Sequence, residues 1–199
     1  MVQKLLLGVI AILAALVVGL ALFWHPDLSE RPLPKAVLPG GDFTLQSADG
    51  PVSLKDFRGR VALVYFGYTY CPDICPTALS ATAEALRLLT PEEKARLAVL
   101  FVSVDPERDT PARLKEYGQF FDPIIVGMTG TPEVLSEIAR RYGVFYARQP
   151  AETAGGGYVV DHTSDIMIVD AAGALAGKIA HGTAPQAMAD EIRKRLNSH

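Results

Sequence analysis

A continuous apolar run leads directly into both cysteines of the chain, and this feature most constrains the fold. Residues 61–67 read Val-Ala-Leu-Val-Tyr-Phe-Gly, and Cys71 and Cys75 follow in the segment Tyr-Cys-Pro-Asp-Ile-Cys-Pro. An apolar, partly β-branched run of this length is typical of a strand that is buried on both faces. Open α/β sheets place their chemistry at the carboxyl ends of such strands. The run therefore predicts an α/β fold with a functional turn at the two cysteines.

Strand and helix patterns alternate through the rest of the chain. A second buried strand is predicted at 98–104, and residues 77–89 between the two strands show the apolar spacing of a helix. The Thr-Pro pairs at 110–111 and 131–132 predict helix starts, and Gly143 predicts a helix end. A closing helix is expected at 185–196, and short strands at 43–45, 52–54, 124–126, 158–160, 166–169 and 175–180. We therefore expect a mixed central sheet with helices on both faces.

The N-terminus carries an apolar run from Leu5 to Phe23 without a charge or a proline. As a helix it would cross a hydrocarbon core of roughly 30 Å. Lys4 precedes the run, whereas Asp27 and Glu30 follow it. This charge bias predicts that the N-terminus is cytoplasmic and that the rest of the chain lies outside.

Three regions follow from this pattern. We expect residues 1–25 to be an uncleaved membrane anchor, with a cleaved signal peptide as the alternative. Residues 26–41 are rich in proline and glycine, which predicts a semi-stiff linker. Residues 42–199 have the length of one domain. A glycine-rich segment at 154–157 indicates a mobile loop within it.

The composition narrows the class of function. The chain has 19 basic and 22 acidic residues and no basic stripe, so nucleic acid is not an expected partner. A disulfide between cysteines only four positions apart would remove little chain entropy, so a purely structural bridge is disfavoured. Closely spaced cysteines in a chain of this length point instead to metal or redox chemistry.

Thiolate sulfur is a soft ligand that selects Cu(I), zinc or iron–sulfur units. Two cysteines are too few for a closed zinc site or for most iron–sulfur clusters. Two thiolates and one imidazole suit copper. The residues alone therefore favour a copper site formed by Cys71, Cys75 and one histidine.

The third ligand has to be chosen from four histidines. His162 lies in a polar turn between two predicted strands and is the favoured candidate; His181, or no histidine, remains the alternative. His25 and His199 are expected to be solvated. Because cysteines at a helix N-terminus have depressed pKa values, the turn should also favour the thiolate forms.

Three aspartates are candidates for supporting roles. A carboxylate of Asp161 or Asp165 could accept the second ring N–H of His162 and fix its tautomer. Asp73 could lend an oxygen to Cu(II). The alternative for each is a turn-forming side chain that bonds its own backbone, and for Asp73 and Asp165 this alternative has at least equal weight.

At these residues the chain resembles the Sco/SenC family of membrane-anchored copper proteins. The resemblance covers nearly the whole length and rests on the segments 54–59, 66–77, 103–111 and 160–164. It implies a thioredoxin-like fold and copper ligation by Cys71, Cys75 and His162. It also implies delivery of copper to the dinuclear copper centre of cytochrome c oxidase. The expected partners are the copper-bearing oxidase subunit and a copper donor protein. Because no transit segment precedes the apolar run, we expect a bacterial inner membrane and a periplasmic domain.

A thiol–disulfide oxidoreductase is the competing hypothesis, acting on the cysteines of the same copper centre or of other extracytoplasmic proteins. Enzymes of this fold usually carry Cys-x-x-Cys and a proline opposite it, whereas this loop is one residue longer and no proline lies between residues 158 and 169. A dithiol enzyme would also have no need of His162. A copper or redox sensor is a third possibility that the sequence does not separate from the first.

Overall fold

The computed structural model describes residues 2–23, 40–150 and 157–198. The chain forms two compact units, residues 1–37 and residues 38–199. The first contains helix α1, Val2–Phe23. None of the helices in the described ranges has the length and apolar character needed to span a bilayer. The membrane anchor at 1–25 stays a prediction, and nearly all of the predicted linker at 26–41 lies outside the described residues.

The second unit contains the remaining helices and all of the strands that the structure describes. The strands are β1 (Thr44–Ser47), β2 (Gly50–Ser53), β3 (Val61–Gly67), β4 (Leu97–Ser103), β5 (Ile125–Met128), β6 (Tyr146–Pro150), β7 (Tyr158–His162), β8 (Ile166–Val169) and β9 (Leu175–Ile179). The helices are α2 (Ile74–Arg87), α3 (Pro91–Ala95), α4 (Pro111–Phe121), α5 (Pro132–Tyr142) and α6 (Pro185–Leu196), and a short 3-10 helix spans Leu54–Phe57.

The central sheet has the strand order β5-β4-β3-β8-β9. Strands β3, β4 and β5 run parallel, β8 is antiparallel to β3, and β9 is antiparallel to β8. Strands β3 and β4 are buried at every position, which explains why their sequences are continuous apolar runs. The predicted mixed sheet is confirmed.

Helices cover both faces of this sheet, as predicted. Neighbouring residues of a strand point to opposite faces. On one face, Tyr65 packs against Phe101 with ring centroids 6.0 Å apart, and Phe101 packs against Tyr117 of α4 at 5.5 Å. On the other face, Phe66 lies 5.8 Å from Tyr142 of α5. The buried strands β3 and β4 are therefore shielded from water on both sides.

Local signals set the helix ends where the sequence indicated. The hydroxyls of Thr110 and Thr131 accept the backbone N–H groups of Arg113 and Val134, and a proline opens each helix. Gly143 ends α5 in the left-handed conformation with φ of 68°, which glycine adopts without a steric penalty.

Two hairpins lie outside the central sheet, β1 with β2 and β6 with β7. Strands β6 and β7 pair only with each other in the described structure, with Tyr146 opposite His162. Strand β7 was predicted in part, whereas β6 was not. Its side chains are partly or fully exposed and include Arg148, so it lacks the apolar pattern of a buried strand. All but the last residue of the predicted loop at 154–157 lies outside the described residues.

Candidate metal centre

The cysteines lie at the carboxyl end of β3, as the sequence predicted. Helix α2 begins at Ile74, three residues before the expected start, so Cys75 lies in its first turn. Cys75 is fully buried, whereas Cys71 in the preceding loop is only partly buried. A side chain on Gly67 would place its Cβ 2.7 Å from the Cys75 sulfur. Glycine at the end of β3 is therefore what lets this sulfur lie against the sheet.

The structure brings a single histidine of the described residues to the cysteines, and this is His162. Its Nε2 lies 3.2 Å from the Cys75 sulfur. The ligand atoms of Cys71, Cys75 and His162 all lie within 4.8 Å of one another. The sequence analysis placed His162 in a turn, whereas in the structure it is the last residue of β7. His181 is exposed and lines a separate cavity, and His25 and His199 lie outside the described residues.

A backbone carbonyl, and not a carboxylate, sets the tautomer of His162. Its Nδ1 lies 3.0 Å from the carbonyl oxygen of Thr163. Because a carbonyl only accepts, Nδ1 donates the proton and Nε2 presents a lone pair toward the sulfurs. The predicted support from Asp161 or Asp165 is therefore wrong. Asp161 is exposed, and Asp165 pairs with Lys178 at 2.5 Å.

The Asp73 side chain forms a hydrogen bond within the first turn of α2 and does not point to the ligand atoms. It is exposed, and its Oδ1 accepts the Thr77 hydroxyl at 3.2 Å. Asp73 has no part in the cluster of ligand atoms, and its side chain makes no capping bond to the backbone of α2.

The pKa values of the two cysteine thiols are shifted in opposite directions. The Cys75 thiol donates to Cys71, and this hydrogen bond lowers the pKa of Cys71 to about 3. The Cys75 pKa is raised because Cys75 donates to its neighbour and because it is buried. The predicted preference for thiolate thus holds for Cys71 and is wrong for Cys75. The lowered pKa of Cys71 makes it the more nucleophilic member of the pair.

Two tyrosines enclose the imidazole, and sequence reasoning missed both. The rings of Tyr65 and Tyr68 meet the His162 ring edge-on, with centroids 6.1 and 5.9 Å away. The Tyr68 hydroxyl accepts the backbone N–H of Val160 at 3.2 Å, which ties β7 to the cysteine loop. The signal that was available is the pair of tyrosines at positions 65 and 68, at the end of the apolar run that leads to the cysteines.

A buried carboxylate fixes the start of the cysteine loop. Asp109 accepts the hydroxyl of Ser103 at 2.6 Å, and it accepts both the backbone N–H and the hydroxyl of Thr69, at 2.9 and 2.5 Å. These contacts connect the segment after β4 to the residue two positions before Cys71. The segment 103–111 therefore holds the start of the cysteine loop in place through the hydrogen bonds of Asp109, a role that the sequence analysis did not predict.

Comparison with known proteins identifies the family. The sequence model of the SCO1/SenC family matches residues 32–197. The chain belongs to the SCO1/SenC family. An SCO2-like protein of Rickettsia conorii is 36% identical over 155 residues, which are 77% of this chain and 75% of that protein. The resemblance seen in the sequence is thus confirmed.

Solved structures of the SCO1/SenC family share the fold. The structure of Bradyrhizobium japonicum ScoI with copper bound is 34% identical, with a TM-score of 0.71, and the match covers 79% of this chain and 99% of that one. BsSco, described as a Sco-family cytochrome c oxidase assembly protein with a disulfide switch, is 25% identical. Its TM-score is 0.60, and the match covers 81% of this chain and 96% of BsSco. The thioredoxin-like α/β fold is confirmed.

Proposed function

We propose that this protein is a copper metallochaperone that binds one copper ion through Cys71, Cys75 and His162. The observation that carries the proposal is the convergence of two sulfurs and one imidazole nitrogen within 4.8 Å. Two thiolates and an imidazole form a soft, low-coordinate set that suits Cu(I). Copper in the similar ScoI structure supports the same choice of metal.

The surroundings of the site favour transfer by ligand exchange. A groove of about 320 Å³ runs beside it, lined by Cys71–Ile74 of the loop and by the end of β7. Cys71 and His162 are the ligands that line this groove, whereas Cys75 is fully buried. A thiolate of the partner can therefore approach from the groove and displace one ligand at a time. A three-ligand site leaves a position open for that attack.

The destination that we propose is the dinuclear copper centre of cytochrome c oxidase, with its copper-bearing subunit and a copper donor as partners. The description of BsSco as an oxidase assembly protein supports this destination. We also propose that residues 1–25 anchor the chain in a bacterial inner membrane with the domain in the periplasm. The uncharged run at 5–23 supports the anchor. A reporter enzyme that is active only in the periplasm, fused after His199, should be active; an inactive fusion contradicts the orientation.

A thiol–disulfide oxidoreductase remains the second candidate. The lowered pKa of Cys71 and the raised pKa of Cys75 favour it. A thiolate at Cys71 beside a thiol at Cys75 is the arrangement needed to attack a disulfide and then resolve the mixed disulfide. In that reaction the substrate disulfide gains two electrons, and Cys71 and Cys75 become a disulfide. The disulfide switch described for BsSco supports this chemistry.

Copper titration of the whole chain in detergent tests the proposal. Wild type should bind one Cu(I), and Cu(II) should give intense sulfur-to-copper absorption. His162→Ala should weaken copper binding and leave disulfide formation intact, whereas the control His181→Ala should match wild type. If His162→Ala binds copper as tightly as wild type, the ligand set is wrong. Rapid turnover of generic dithiol substrates that is insensitive to His162→Ala would favour the enzyme.

A further inference from the structure

The histidine ligand lies on a hairpin that the central sheet does not hold. Strands β6 and β7 share no backbone ladder with β3, β4, β5, β8 or β9 in the described structure. Val160 and Tyr146 pack against the core, and the His162 ring contacts two tyrosines. In addition, two sets of polar contacts attach the strands of this hairpin to the rest of the domain. One is the hydrogen bond from Val160 to Tyr68. The other is a cluster centred on Asp105, which follows β4.

Asp105 is a buried carboxylate whose partners come from both sides. Its side chain has no exposed surface, and its Oδ1 accepts the Tyr158 hydroxyl from the hairpin at 2.7 Å. Its Oδ2 pairs with Nε of Arg108 at 2.5 Å, and Arg148 of β6 lies 3.7 Å from Oδ1. A buried carboxylate is costly unless it is paired and hydrogen-bonded. Undocking the hairpin would therefore leave Asp105 short of partners.

Arg108 contacts the hairpin and the cysteine loop at the same time. Its Nη1 donates to the backbone oxygen of Tyr158 at 3.0 Å, and its guanidinium carbon lies 3.8 Å from the centre of the Tyr158 ring. The same guanidinium lies 4.9 Å from the ring of Tyr70, the residue before Cys71. A planar, always charged group can make these contacts together, and a lysine cannot.

We propose that Asp105, Arg108 and Tyr158 form a latch that sets the position of His162 relative to the cysteines. Tyr158 lies four residues before His162 on the same strand, which is about 13 Å of extended chain. None of the latch residues belongs to the cluster of ligand atoms, so they are positioning residues. Opening the latch frees the hairpin and withdraws the imidazole, which converts a three-ligand site into a two-cysteine site.

The effect on copper rests on the function proposed above, whereas the positioning of the hairpin does not. The latch thus gives the protein a way to loosen its hold on the metal without exposing Cys75. It also links two segments, 103–111 and 158–162, that the sequence separates widely.

Two conservative variants of the whole chain test the latch. Tyr158→Phe keeps the ring and removes the donor to Asp105, and Arg108→Lys keeps the charge and removes the planar fork. We expect each to speed amide exchange at residues 158–162 in the copper-free protein, without changing exchange in β3. Cu(I) affinity, measured by competition, should fall roughly 10–100-fold, the range typical for lost outer-sphere support of a metal ligand.

Tyr142→Phe is the matched control. Tyr142 is a buried tyrosine, whereas Tyr158 is partly buried, and the Tyr142 hydroxyl donates to the backbone oxygen of Gly41 at 2.9 Å. It should lower stability but leave copper affinity and β7 exchange unchanged. A double-mutant cycle separates positioning from general destabilisation. In a His162→Ala background, Tyr158→Phe should cause no further loss of copper affinity.

Three outcomes decide the matter. Unchanged exchange in β7 and unchanged copper affinity in both latch variants overturn the latch. An equal loss of affinity with and without His162 also overturns it, because the residues would then act on the fold and not through the imidazole. If wild type itself binds no copper, the proposed function fails, and amide exchange in β7 still decides whether the latch exists.

Discussion

The two halves of the metal centre are built differently. The cysteine half belongs to the core: β3 is buried along its whole length, and Cys75, in the first turn of α2, is fully buried. The histidine half belongs to a two-stranded hairpin with partly exposed strands. Backbone ladders fix the first half, whereas side-chain contacts dock the second.

This difference indicates which half of the metal centre opens first in local unfolding. Regions with few buried apolar contacts and exposed hydrogen bonds open at lower free energy than the core does. The two cysteines are therefore the rigid ligands of the site, and the imidazole is the ligand that can move away from the metal. Such a division suits a carrier, which has to hold its metal and then release it.

The largest effect should come from the fixed half. In Cys75→Ser, a protonated oxygen replaces a soft ligand, and one thiolate and one imidazole remain. We expect the loss of Cu(I) affinity to exceed the roughly 10–100-fold typical of outer-sphere changes. Competition with a chelator measures it, with His162→Ala as the comparison. If His162→Ala costs more than Cys75→Ser, the histidine is the stronger anchor and the comparison is reversed.

Gly67→Ala should disturb the same half through packing. The added Cβ would lie 2.7 Å from the Cys75 sulfur and 2.9 Å from the Phe101 ring. Overpacking of this kind should lower the free energy of unfolding by about 1–3 kcal/mol. Urea denaturation measures the change. Wild-type stability together with an unaltered copper site would show that the cysteine half is more pliable than its burial indicates.

The proton balance within the pair gives a pH-dependent test. Alkylation of Cys71 in the metal-free protein should stay fast well below neutral pH, because the Cys71 pKa lies at about 3 and not at the usual 9.0. Cys75→Ala removes the main donor and should raise the pKa of Cys71, while Cys75→Ser keeps a donor and should raise it less. The rate profile against pH measures both, and identical profiles in the two variants would contradict the hydrogen bond.

The same shift has a consequence for stability. A depressed pKa in the folded state contributes stability that is present above the unfolded value of 9.0 and is lost as the pH falls toward about 3. The raised pKa of Cys75 has the opposite sign, since its contribution is lost only as the pH rises above its usual value of 9.0. The free energy of unfolding of the reduced, metal-free protein should therefore contain a Cys71 contribution that grows with pH from about 3 to 9.

The smallest effect should come from the second hairpin contact. Tyr68→Phe removes the hydroxyl that accepts the Val160 N–H, a change worth about 0.5–1.5 kcal/mol. Faster exchange of the Val160 amide would report it. Tyr117→Phe is the control, because the Tyr117 hydroxyl is buried without a partner among the described residues and its removal should cost nothing. Equal effects of the two variants would remove Tyr68 from the docking of the hairpin.

Local patterns allowed much of this structure to be predicted from the sequence. The strand at 61–67, the helix caps at Thr110 and Thr131, and the end of α5 at Gly143 each depend on residues within a few positions of one another. The exposed strand β6 has no such pattern and was missed. The Thr163 carbonyl was missed as the partner of His162, because every residue has a carbonyl and only the fold decides where it points.

By itself, the sequence determined the buried strands, the place of the cysteines at the end of one of them, and a short set of candidate histidines. Periodicity and caps specify these features because they act over single turns and strands. Only the tertiary structure decided that His162 meets the sulfurs, that the pKa of Cys71 is lowered while that of Cys75 is raised, and that Asp105 and Arg108 contact the hairpin. Those outcomes depend on burial and on contacts between segments far apart in the chain, whose energies no local pattern contains.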